Sequence, residues 1–259
     1  MSHVGASVVF IGAGPGSADL ITLRGARRLG EADIVLHDAM IDPALRAFAP
    51  NARWIDVGKR GFCHATGQQK INALLVRHAQ AGARVARLKG GDPSVFGRLE
   101  EELEALAAAG IEAEVVPGVT AAIAAAAQAQ RPLTRRGRGR SVALATAMTR
   151  EGELRAGRSA DTEVFYMAGR QLAALSQRLR AAGWDARTPV LVVSRAGWPD
   201  ALWSQHDVAT LHDATVLHAG RPTVVTVGAG ATPLDAAQTA GAWRRAAEGH
   251  ETRVPEVSN

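Results

Sequence analysis

Two α/β domains with mostly parallel sheets, and one small-molecule site at the strand ends, are the fold this sequence predicts, on three observations. Short β-rich runs alternate with amphipathic, alanine-rich helical stretches over residues 1–117, the rhythm of strands joined by helices that cover a parallel sheet. Two glycine-rich turns, Gly12-Ala13-Gly14-Pro15-Gly16 and Gly90-Gly91-Asp92-Pro93, each follow a strand-like run. Ligands of open α/β sheets bind beyond the carboxyl ends of the strands, so paired turns point to one shared small-molecule site. After Pro117-Gly118 the rhythm changes, and four strand-like runs surround one clear helix.

Val8–Gly12 reads as the first strand, Leu20–Glu31 as a helix, and Asp33–His37 and Trp54–Val57 as further strands. Gln68–Ala81 places Ile71, Leu74, Leu75 and His78 on one helical face. The strand Arg84–Leu88, the helix Glu100–Ala109 and the strand Ala113–Val116 complete the first block. Thr120 is a capping residue for the alanine helix Ala121–Gln128. Strands are then expected at Val142–Ala147, Glu163–Met167, Val190–Val193 and Thr223–Val227, with a helix at Gln171–Ala182. The domains are therefore 1–117 and 118–232, with a helix or disordered tail over 233–259.

Of the 259 residues 47% are apolar, yet no run approaches the ~18 needed to span a membrane. The start, MSHVGAS, lacks a signal peptide's basic end and apolar stretch, and the expected location is the cytoplasm. One cysteine, Cys63, excludes an intrachain disulfide and any CxxC metal site, and the eight histidines show no ligand spacing, so no metal is expected. Only three of the 30 cationic residues are lysine, and the net charge is +5. Arginine's planar fork suits carboxylates and phosphates alike. The segment Arg131–Arg140 holds five arginines, readable as a solvated loop or an anion-binding rim. The scarcity of aromatic residues argues against a specific nucleic-acid module.

A dinucleotide reading fails on spacing: the glycines stand at 12, 14 and 16, and Pro15 removes a backbone N–H that a pyrophosphate needs. Asp38, closing the second strand, imitates a ribose-binding acid and keeps an oxidoreductase as the alternative enzyme class. A basic nucleic-acid-binding protein is the alternative outside enzymes. Ser94 and Ser194 lack the G-x-S-x-G elbow of a hydrolase, and no nucleophile–base pair is legible. The chemistry must come from a reactive cofactor or substrate.

Beyond the two turns, the run L-I-T-L-R-G, Ile34–Asp38, Val57-Gly-Lys-Arg60, Ile71–Leu75 and Leu88–Arg98 follow in order. Val116–Ala121, Pro132-Leu-Thr134 and Val164–Met167 continue the series. Together these motifs resemble the tetrapyrrole methylase family from about Val8 to Gly230, and most closely its branch that C-methylates uroporphyrinogen III. The resemblance implies S-adenosylmethionine in the interdomain cleft, leaving as S-adenosylhomocysteine, a tetrapyrrole substrate and a homodimer. It also implies that Pro15, Gly90, Gly91, Asp92, Thr120, Ala121, Met167, Ala196 and Thr223 hold the cofactor. Arg98 and Glu101 are implied as the residues that handle the tetrapyrrole, with Asp38, Lys59, Arg60 and Arg135 on the substrate side. Six residues at four places depart from the family pattern: Leu99-Glu100 replaces Gly-Gly, Arg135 a histidine, Ala147-Met148 a Gly-His pair, and Ala168 a glycine. The cofactor half matches better than the substrate half.

Overall fold

The computed structural model describes residues 7–58, 67–147, 154 and 156–234. The first block forms a five-stranded, wholly parallel sheet in the order β3-β2-β4-β1-β5. Its strands are β1 (Val8–Gly12), β2 (Ile34–His37), β3 (Arg53–Asp56), β4 (Val85–Lys89) and β5 (Ala113–Val116). Strands buried on both faces must be apolar on both. Val8, Phe10 and Leu36 face the cluster built with helices α2 (Gln68–Gln80) and α3 (Leu99–Ala108). Ile11, Val35, Ala86 and Leu88 face the other side, against Leu29 of α1 (Leu23–Gly30) and Leu45.

The first helix starts later than its apolar pattern suggests. Thr22 is extended, and its side chain accepts the Gly25 amide, so the chain enters α1 at Leu23 after a short 3₁₀ turn at Ala18–Leu20. Three glutamates, Glu100, Glu101 and Glu102, occupy the first turn of α3, where the helix dipole favours negative charge.

The second sheet has the order β6-β7-β10-β8-β9, from β6 (Val142–Thr146), β7 (Thr162–Tyr166), β8 (Pro189–Ser194), β9 (Leu202–Asp207) and β10 (Thr223–Gly228). Here the expectation of a mostly parallel sheet is corrected. Only β6 and β7 pair parallel, while β7–β10, β10–β8 and β8–β9 are antiparallel. Helical crossovers are what force strands to run parallel. The β8–β9 connection is too short for one, and β10 returns in the opposite sense. Strand β9 was not expected because its sequence, LWSQHD, is polar and lies at a partly exposed edge. One face packs on α4 (Ala121–Gln128) and the other on α5 (Leu172–Ala181). Among the described residues no helix is long and apolar enough to cross a membrane.

Candidate functional site

A cavity of about 550 Å³ opens between the two sheets, within the volume range of small-molecule sites. Its first wall is the carboxyl edge of the parallel sheet. Gly14 and Pro15 follow β1, Asp38 to Met40 follow β2, Val57 and Gly58 follow β3, and Gly90 to Asp92 follow β4. Because β1 and β4 are neighbours, the two glycine turns meet: the Gly91 amide donates to the Gly14 carbonyl at 2.7 Å, and Gly14 donates back at 3.3 Å. Gly91 has φ +70°, a left-handed conformation that favours glycine. A Cβ at Gly118 would lie 2.4 Å from the Gly91 carbonyl, so three backbone segments converge where no side chain fits.

Asp92 makes this junction. Its Oδ1 accepts the Ser94 amide and its Oδ2 the Gly118 amide, each at 2.8 Å. With both oxygens held by backbone, Asp92 shapes the loop and ties it to the start of the second half.

The second wall comes from the other sheet: Thr120 and Ala121 at the head of α4, Tyr166 and Met167 after β7, Arg195, Ala196 and Trp198 after β8, and Pro222 to Val224 at β10. The Tyr166 hydroxyl lies 2.7 Å from Thr120 Oγ1 and accepts the Ala122 amide at 3.3 Å. Burial raises its pKa. Phe96, from the first half, sits with its ring centroid 5.0 Å from that of Tyr166. Arg195 stacks on Trp198 at 4.5 Å and pairs with Asp200 at 2.8 Å. Phe96, Arg98, Met167 and Arg195 are all non-glycine residues with φ between 52° and 58°. Such strain persists where the surroundings enforce it, and here all four line the cavity.

Charge is concentrated at the first wall. Arg87 and Lys89 project from one face of β4, and both are buried. Glu102, from α3, accepts from Lys89 at 2.9 Å, from Gln68 at 3.0 Å and from Arg87 at 3.3 Å. Arg87 also reaches Asp38 Oδ1 at 2.6 Å, while Asp38 Oδ2 accepts the Gly90 amide at 3.2 Å. Burial, and then the neighbouring Arg87, push the Lys89 ammonium below its ordinary pKa. Gln68, Arg87 and Lys89 line the cavity and were missed in the sequence reading. The available signal was an Arg-Leu-Lys alternation inside an otherwise apolar, fully buried strand.

Of the residues expected at the site, Pro15, Asp38, Gly90, Gly91, Asp92, Arg98, Thr120, Ala121, Met167, Ala196 and Thr223 line this one cavity. Glu101 does not. It sits on the exposed first turn of α3, where Arg98 grips it through two contacts of 2.7 Å. That pairing raises the Arg98 pKa, which suits an anion anchor and opposes a role as base. Arg135 also lies away from the cavity, its guanidinium donating to the Thr232 and Pro233 carbonyls. Lys59, Arg60, Cys63 and the tail from 235 fall outside the described residues. Among the described residues no cluster of side chains suits a metal ion.

Two α/β halves that close on one cavity at strand carboxyl ends define a class of enzyme working on a small molecule held between domains. Its family follows from likeness to known proteins. Residues 7–212 match the model of the "Tetrapyrrole (Corrin/Porphyrin) Methylases", and the chain belongs to that family. It is 44% identical over 193 residues to a uroporphyrinogen-III C-methyltransferase of Pseudomonas aeruginosa, covering 73% of this chain and 79% of that one. It is also 44% identical over 222 residues to siroheme synthase 1 of Pectobacterium atrosepticum, covering 83% of this chain but only 46% of that protein. The chain thus spans under half of the siroheme synthase. Among solved structures, a Thermus thermophilus uroporphyrin-III C-methyl transferase complexed with S-adenyl homocysteine superposes with TM-score 0.75 at 35% identity, covering 85% of this chain and 96% of that one. A cobalt precorrin-4 methyltransferase superposes with TM-score 0.77 at 28% identity, covering 90% and 100%.

Proposed function

We propose that this chain methylates ring carbons of uroporphyrinogen III with S-adenosylmethionine, giving precorrin-2 by way of precorrin-1, in tetrapyrrole synthesis of the sirohaem or cobalamin type. The observation that carries the reading is the lining of the cavity: small residues and free backbone from both walls, beside a cluster of charged groups held against the first. Gly90, Gly91, Ala121 and Ala196 leave room for a cofactor to approach the main chain. No atom stands within 4 Å of a Cβ built on Gly90, and only backbone near the 4 Å limit faces one on Gly91. Pro15, Asp92, Thr120, Met167 and Thr223 complete that cradle. When bound, S-adenosylmethionine supplies an electrophilic methyl, so the protein needs no covalent intermediate.

The chain's own part is alignment and proton handling. Arg98 holds a φ of 54° at the head of α3 and lines the cavity, and its guanidinium, paired with Glu101, is the group that anchors a substrate carboxylate. Asp38 is the carboxylate open to a substrate. Asp38 and Asp92 each accept one bond on each oxygen, but both of Asp92's bonds tie its own loop to the backbone, whereas Asp38 is 36% exposed at the cavity edge. Each Asp38 oxygen retains a free lone pair for the pyrrole N–H proton that leaves as the carbon is methylated. The homodimer, with units of residues 1–117 and 118–232, belongs to this proposal.

Another tetrapyrrole acceptor is the second reading, favoured by the fit to the cobalt precorrin-4 methyltransferase. Calorimetry with S-adenosylhomocysteine, NADH and FAD tests the cofactor. Binding of S-adenosylhomocysteine alone is expected, and binding of a dinucleotide in its place rejects the reading.

A further inference from the structure

We infer that Arg87 is a positioning residue, one that fixes the Asp38 carboxylate for proton removal through a charge cluster buried beneath the cavity. The inference rests on the role proposed for Asp38. Arg87 is 2% exposed and Glu102 fully buried, so neither can rely on water. The cluster satisfies itself. Glu102 takes Lys89 on Oε2 and shares Oε1 between Gln68 and the Arg87 Nε. The Arg87 Nη1 is spent on the carbonyls of Leu88 at 3.1 Å and Leu36 at 3.4 Å. What remains is Nη2, and its bond to Asp38 Oδ1, at 2.6 Å, is the shortest in the cluster.

The arrangement separates the two ends of the guanidinium. Nε is tied to α3 and Nη1 to strands β2 and β4, so the fork cannot turn. Nη2 therefore points at a fixed place beyond the end of β2, which holds Asp38 against the Gly90 amide. The lysine is needed for balance: without it, one arginine would face two carboxylates and be drawn toward both. With Lys89 in place, Arg87 and Lys89 offset Glu102 and Asp38, and the cluster is neutral.

The substitution Arg87→Met should leave the fold intact, because Glu102 keeps Lys89 and Gln68, and Asp38 keeps Gly90. The test is a double-mutant cycle with Asp38→Asn, read as turnover of uroporphyrinogen III. Arg87→Met is expected to lower kcat at least tenfold, with the tetrapyrrole KM and the S-adenosylhomocysteine Kd within threefold. In the Asp38→Asn background it should cost nothing further. Arg87→Lys, read in the same cycle, should recover part of the rate, and it decides the matter if Arg87→Met does not accumulate. The inference is overturned if kcat holds, if the loss falls on KM or Kd, or if the two single effects multiply. Should Asp38→Asn itself keep full turnover, the role given to Asp38 fails instead, and that result is visible before the cycle is closed.

Discussion

Replacing Asp92 by alanine should damage cofactor binding more than folding, and the size of the effect follows from two hydrogen bonds. The carboxylate accepts the exposed Ser94 amide and the part-buried Gly118 amide, both at 2.8 Å. The first contributes about 0.5–1 kcal/mol and the second, charge-assisted and shielded, about 1.5–3 kcal/mol. The combined loss is about 2–4 kcal/mol. Gly118 is packed against Gly12 and Gly91, so the slack appears at the junction of the two glycine turns. At ~1.4 kcal/mol per factor of ten, S-adenosylhomocysteine affinity should fall between about thirty- and several hundred-fold. Asp92→Asn can still accept one amide but turns an NH₂ group toward the other, so its loss should be intermediate. Calorimetry gives the affinities, and urea denaturation separates them from global stability. An Asp92→Ala protein that binds S-adenosylhomocysteine within twofold of the parent would refute the reasoning.

Arg98→Ala should slow methyl transfer by two orders of magnitude or more while the S-adenosylhomocysteine Kd stays within a few fold. A variant that loses cofactor affinity yet keeps turnover at saturating cofactor places Arg98 wrongly. His218 is fully buried between Ser194 and Ser204, and burial pushes its pKa down from 6.5 to about 4. The folded chain therefore binds this proton less well than the unfolded chain does. Stability is full above about pH 6.5 and is lost as pH falls toward 4, by at most about 3 kcal/mol. Burial lowers the His206 pKa as well, which adds to the same trend. In His218→Gln, the midpoint of urea denaturation should vary much less between pH 4 and 6.5, and an unchanged slope would contradict the assignment. Any binding of DNA or RNA through the arginine-rich segment should be weak and vanish near ~150 mM salt in a mobility-shift titration. A tight complex at that salt would reverse the ranking of the two functional classes.

The parts of the fold that were legible in the sequence were those with strict hydrophobic period or special backbone. Gly12–Gly16 and Gly90–Pro93 marked the strand ends, and both turns line the cavity through Gly14, Pro15 and Gly90 to Asp92. What escaped notice had no apolar pattern to show. Strand β9 is a polar edge, and the antiparallel turn of the second sheet depends on which strands pair, which spacing alone does not encode. The charged cluster was hidden for the opposite reason. Arg87 and Lys89 look like interruptions of a strand until α3 supplies Glu102 across the sheet face. Arg135, a cation beside a conspicuous motif, read as a ligand group, whereas here it lies away from the cavity and holds the chain at Thr232 and Pro233.

The most direct measurement is incubation of the protein with uroporphyrinogen III and methyl-labelled S-adenosylmethionine, followed by mass and absorbance analysis of the tetrapyrrole. The account predicts labelled product heavier by first one and then two methyl groups, with S-adenosylhomocysteine formed in equal number. Unlabelled tetrapyrrole, from a protein that nonetheless binds S-adenosylhomocysteine, would contradict uroporphyrinogen III as the acceptor.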